Sequence, residues 1–106
     1  MTEQEFDQVV KDTLKSIENI LIVKAKEYRR NNNVFHNFEQ GSKRSGLTRE
    51  KVLDGFLLKH EISIADITSD LDYGILPNIE TLNEKINDNI IYLILKKASI
   101  IDRIKL

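Results

Sequence analysis

The sequence predicts an all-α fold. Three observations predict it. Apolar residues recur in steps of three and four over three long stretches. Gly 4 and Pro 1 in 106 residues are too few for the turns of an all-β chain. There is no cysteine to staple a loop-rich scaffold. The length is that of one helical domain, 1–106, and 41% hydrophobic with 31% charged residues is the composition of a folded chain.

The first helix is predicted from about Glu3 to Arg30. Thr2 and Glu5 make a capping-box pattern, and Glu3, Glu5 and Asp7 suit the positive end of the helix dipole. Phe6, Val10, Leu14, Ile17, Leu21, Ala25 and Tyr28 share one face. Asn31-Asn32-Asn33 ends it. Residues 34–38 then form a helical turn and Gly41 to Gly46 a loop, with Phe35 and Phe38 as a packed plug.

A second long helix is predicted after the N-cap Thr48 and ends near Leu71. Its seam is Leu53, Leu57, His60, Ile64, Ile67 and Leu71. Leu58, Ile62 and Ala65 form another apolar strip roughly opposite. A helix apolar on two sides is sandwiched between neighbours, so a homo-oligomer, a dimer, is expected. Gly74 and Pro77 mark a short turn. The third long helix runs from about Ile79 to Ile104, with a seam of Ile79, Leu82, Ile86, Ile90, Ile94 and Ile101 and a second strip of Ile91, Leu95 and Ala98. The last two long helices should form an antiparallel hairpin with the first packed across it.

Several function classes are excluded or disfavoured. Without cysteine there is no thiolate metal site and no thiol nucleophile. A net charge of -1 argues against general nucleic-acid binding. Residues 1–5 are acidic and polar, unlike a signal peptide, and no stretch holds the ~20 apolar residues of a membrane span. A cytoplasmic protein is the expectation. No Gly-rich phosphate loop and no Ser/His/Asp arrangement is recognisable.

Charge is unevenly spread. Between Lys24 and Lys51, eight cations oppose Glu27, Glu39 and Glu50, which gives +5 there and -6 elsewhere. These cations either complement a helix dipole and face water, or form a mouth that attracts phosphate. In the hairpin, residues whose numbers sum to roughly 150 should lie level. That sets Lys59, Ser63 and Asp66 beside Tyr92, Asp88 and Glu84. Oxygen ligands from two adjacent helices suit Mg²⁺; the alternative is two solvated flanks with Lys59 tied to a carboxylate. His60 lies on the apolar seam, as a hydrogen-bonded core residue or as a ligand contact.

Taken in order, Lys26-Glu27-Tyr28, Phe35-His36-Asn37-Phe38, Gly55-Phe56, Lys59-His60, Ser63-Ile64-Ala65-Asp66, Glu84-Lys85-Ile86-Asn87-Asp88 and Tyr92-Leu93 resemble small bacteriophage and prophage proteins of the MazG-like group. Their layout is similar to that of the all-α nucleoside triphosphate pyrophosphohydrolases, and the resemblance spans about residues 20–100. It implies a four-helix core, usually dimeric or tetrameric, with Mg²⁺ held by an acidic pair on each of two neighbouring helices. Glu84 and Asp88 match one pair. Asp66 matches one member of the other, while Ser63 and Lys59 stand one and two turns earlier, where Lys59 supplies some of the charge a metal would bring.

The expected function is therefore binding of a nucleotide or nucleotide-derived ligand, with Mg²⁺-dependent pyrophosphohydrolysis as the activity the resemblance implies. In that reading Asp66, Glu84 and Asp88 hold Mg²⁺, and Lys59 and Ser63 act at the reacting phosphate. Tyr28, Arg29, Arg30, Phe35, His36, Asn37, Phe38, His60 and Tyr92 contact the ligand. The alternative is a non-catalytic phage protein that inhibits a host protein or sequesters a signalling nucleotide.

Overall fold

The computed structural model describes residues 1–105; the side chains of residues 24–26 and 28 are outside that description. Four helices follow one another: α1 (Glu3–Tyr28), α2 (His36–Ser45), α3 (Arg49–Asp72) and α4 (Ile79–Ile104). Among the described residues no helix is long and apolar enough to cross a membrane.

The start of α1 is the predicted capping box. The Thr2 backbone N–H donates to Glu5 Oε2 at 2.9 Å, and the Glu5 N–H donates back to Thr2 Oγ1 at 3.1 Å. The helix stops at Tyr28, two residues before the expected end. Arg30 and Asn33 then close a turn by pairing backbone groups, and Asn31 and Asn32 take left-handed φ values of 53° and 61°. Asparagine tolerates that region better than other side chains do, which is why the run of three ends the helix.

The expected loop at 41–46 is a correction. Residues 36–45 form a complete ten-residue helix, ended by Gly46 at φ 74°, whose N–H donates to the Ser42 carbonyl. Its composition is poor for a helix, but tertiary packing overrides propensity. Phe38, 1% exposed, anchors it in the core. Gly41 lets it lie close to α3: a Cβ there would sit 2.9 Å from Val52 Cγ1.

Thr48 caps α3 as expected, its side chain accepting from the Lys51 N–H, and Asn78 caps α4 by accepting from the Thr81 N–H. The two form the antiparallel hairpin. Phe35 and Phe38 are the predicted plug, packed with Leu53, Leu57 and Tyr92 into a core shared by α2, α3 and α4. α1 packs on α4, where Ile17 is buried and Asn87 Nδ2 donates to Ser16 Oγ at 3.1 Å.

The face of α4 is a second correction. Of the expected seam, Ile79, Ile94 and Ile101 are exposed and Leu82, Ile86 and Ile90 only half-buried, whereas Asn87, Tyr92, Ser99 and, from the second strip, Ile91 are buried. Tyr92 and Ser99 set the side of α4 that meets α3, while Asn87 bonds Ser16 of α1.

Candidate functional site

The register of the hairpin is close to that read from the turn. His60 lies near Asp88, Phe56 beside Tyr92, Asp54 with Lys96 and Glu50 with Ser99, so paired numbers sum to about 150. The faces differ by one residue. It is His60, not Lys59, that meets Tyr92 and Asp88. Neighbouring helix positions diverge by ~100°, and His60 continues the Leu53–Leu57 row that faces α4.

This register builds an aromatic stack across the hairpin. The rings of Phe56 and Tyr92 lie parallel, 3° apart with centroids at 5.7 Å, and His60 stacks on Tyr92 at 4.8 Å. Phe38 meets both Phe56 and Tyr92 edge-on from the core. His60 Nδ1 is 3.9 Å from Asp88 Oδ2, beyond hydrogen-bond length but within ion-pair range when the ring is protonated. The stack ends at Phe56, which is 45% exposed, and Lys59 lies beside it in a shallow depression with Val52 and Gly55.

The other expected site residues separate. Phe35 and Phe38 are core residues, so neither presents a face to a base. His36 is half-buried at the start of α2 and Asn37 is exposed. Arg29 and Arg30 are exposed next to the asparagine turn; the Tyr28 side chain is outside the described residues. Ser63 Oγ donates to the Lys59 carbonyl at 3.2 Å, one turn back in its own helix. Asp66 and Glu84 are exposed, while Asp88 is half-buried beside His60. Among the described residues, no three His, Asp or Glu side chains are grouped to hold a metal ion.

A polar centre that the sequence reading did not single out lies at the other end of the hairpin. Arg49, on the first turn of α3, donates from Nε to Ser99 Oγ at 2.6 Å and from Nη2 to the Ser99 carbonyl at 3.0 Å. Its guanidinium also meets Glu39 Oε1 at 3.3 Å and Asp102 Oδ2 at 3.1 Å, and lies over the Phe35 ring at 4.2 Å. The Ser99 hydroxyl donates in turn to Glu50 Oε2 at 2.7 Å, and Arg103 Nη1 donates to Glu50 Oε1. The Ser99 hydroxyl, followed by the Arg103 and Arg49 guanidinium groups, holds the Glu50 carboxyl below its ordinary value, against the opposing effect of burial. Asn33 Nδ2 extends the network by donating to Glu39 Oε2 at 2.7 Å. The same sum near 150 that aligned Lys59 with the fourth helix also aligns Glu50 with Ser99, so the signal was present in the turn position.

Compared with known proteins, the chain matches no family model, no curated protein and no solved structure.

Proposed function

We propose that this chain is a MazG-like helical protein that binds a nucleotide or nucleotide-derived ligand on the α3–α4 surface centred on Phe56, Lys59 and His60. The observation that carries the reading is the stack of His60, Tyr92 and Phe56, which ends on a half-exposed ring beside the exposed Lys59. A flat aromatic face takes a base by stacking, a contact worth about 1–3 kcal/mol per base. Lys59 supplies a mobile positive charge for a phosphate, and the His60–Asp88 pair offers polar groups beside the base plane.

The Mg²⁺ that the resemblance implies would need Asp66, Glu84 and Asp88 to converge. Asp88 is turned to His60, and among the described residues no three His, Asp or Glu side chains are grouped around one point. The reading is therefore one of binding, and no hydrolytic step is derived.

The test is a thermal-shift and calorimetric series with nucleoside mono-, di- and triphosphates, with and without Mg²⁺. A ligand at 100 times its dissociation constant adds about 2.7 kcal/mol to stability. Phe56→Ala and Lys59→Ala should each weaken that effect while leaving the free protein folded. If no nucleotide raises the midpoint, the reading fails; release of pyrophosphate in the presence of Mg²⁺ would turn it into an enzyme.

A further inference from the structure

Three of the four glycines have a reason inside the chain. Gly46 and Gly74 take left-handed φ values of 74° and 77°. Gly41 lets α2 lie close to Val52 of α3. Gly55 has no such reason. It is exposed within α3, and a Cβ built on it meets nothing within 4 Å. Its backbone is helical, a conformation that alanine holds more stably than glycine does. Neither packing nor backbone geometry within the chain calls for a glycine there.

What Gly55 borders is the recognition surface. With Val52, Phe56 and Lys59 it lines the depression of ≈ 290 Å³ on α3. That volume is at the small end for a ligand site, so a methyl group on its floor competes directly with a ligand. Without a side chain at 55, a molecule whose base rests on the Phe56 ring can lie close against the helix.

The charges on either side of Gly55 say what lies there. Lys51, Gly55 and Lys59 follow in steps of four and share one flank of α3. Both lysines are exposed, and ~12 Å of helix axis separates them, with Gly55 midway. The carboxylate next to Gly55, that of Asp54, is ion-paired to Lys96 across the hairpin. Lysine carries its charge on a long flexible stem, so both ammonium groups can turn toward the bare backbone between them. Two such cations match an anion longer than one phosphate.

The inference rests on the reading of the Phe56 surface as a nucleotide site. We propose that Gly55 is the specificity-determining residue of that site. Its ligand is a nucleoside carrying two or more phosphates, with the base on Phe56 and the phosphate chain crossing Gly55 between Lys51 and Lys59.

Calorimetric titration with the mono- and diphosphates of adenosine, guanosine, cytidine and uridine tests this. The diphosphate of the preferred base should bind about tenfold tighter than its monophosphate. Gly55→Ala should act in opposite directions on stability and binding. It should raise the unfolding midpoint of the free protein by about 5 °C, and weaken the diphosphate by about tenfold or more. Lys51→Ala should bring the diphosphate down to the affinity of the monophosphate. Unchanged affinity in Gly55→Ala, or a lowered midpoint, overturns the proposal. So does a diphosphate that the wild-type chain binds no more tightly than the monophosphate. In each of these cases nucleotides still bind, and the reading of the Phe56 surface stands. If the wild-type chain binds none of the eight compounds, both fall.

Discussion

Arg49 and Ser99 are fifty positions apart in the chain and 2.6 Å apart in space. The guanidinium reaches from the first turn of α3 to the later part of α4, where it takes both the hydroxyl and the carbonyl of one serine. With Glu39 on α2 as a third partner, this one side chain joins three helices at the end of the hairpin away from the turn. The Arg49 and Glu50 side chains are only 16% and 15% exposed, so their pairing is protected from water.

Arg49→Ala should therefore destabilise the fold by about 2 kcal/mol, because it removes the donor to Ser99 and one cation each from Glu39 and Glu50, which keep Asn33, Ser99 and Arg103 as partners. Arg49→Lys keeps the charge but not the planar fork, and should recover less than half of the loss. Urea unfolding, compared at constant slope, measures both.

Acid sensitivity follows from Glu50. Its carboxyl titrates below the ordinary 4.5 in the folded protein, so the folded state favours the ionised form. The stability this gives is complete above pH 4.5 and is lost as the pH falls from there through the folded value. Ser99→Ala removes the first cause of the shift and should flatten the stability profile over that window. A wild-type profile with no slope below pH 4.5 would contradict the assignment.

The fold was legible where one signal dominated. Thr2 with Glu5 and Thr48 announced helix starts because a hydroxyl three residues before an unpaired N–H has few other uses. The hairpin register was legible because Gly74 and Pro77 fixed the turn. The α4 face was not. Its isoleucines form the cleaner row, but burial followed Tyr92, Ser99 and Asn87, whose partners lie on other helices and leave no periodic mark. The site is read one position off: Lys59 is expected beside Tyr92, but His60, already on the apolar seam, is the residue that meets it, and one position rotates a side chain by ~100°.

Phe38 and Phe56 touch edge-on at 5.8 Å yet should respond oppositely to truncation. Phe38 is 1% exposed, and Phe38→Ala should cost about 3–5 kcal/mol in stability. Phe56 is half in solvent, so Phe56→Ala should cost about 1 kcal/mol and act mainly on ligand binding. Parallel unfolding and binding measurements on the two variants separate a core ring from a recognition ring.

Gly41 and Val52 give the sharpest test of how α2 is held. Alanine inside a helix is favoured over glycine by about 1 kcal/mol, so Gly41→Ala alone would be expected to stabilise α2. The new Cβ, however, would meet Val52 Cγ1 at 2.9 Å, closer than real carbon contacts allow. Val52 is β-branched, with little freedom at χ1, and packs against the core, so it cannot swing aside cheaply. Overpacking of this kind costs about 1–3 kcal/mol, which outweighs the propensity gain and makes Gly41→Ala destabilising. In a Val52→Ala background the obstructing methyl groups are gone. There Gly41→Ala should become stabilising, so a double-mutant cycle should show a favourable coupling of at least about 1 kcal/mol. Additive effects would mean that α2 does not approach α3 as closely as Gly41 permits.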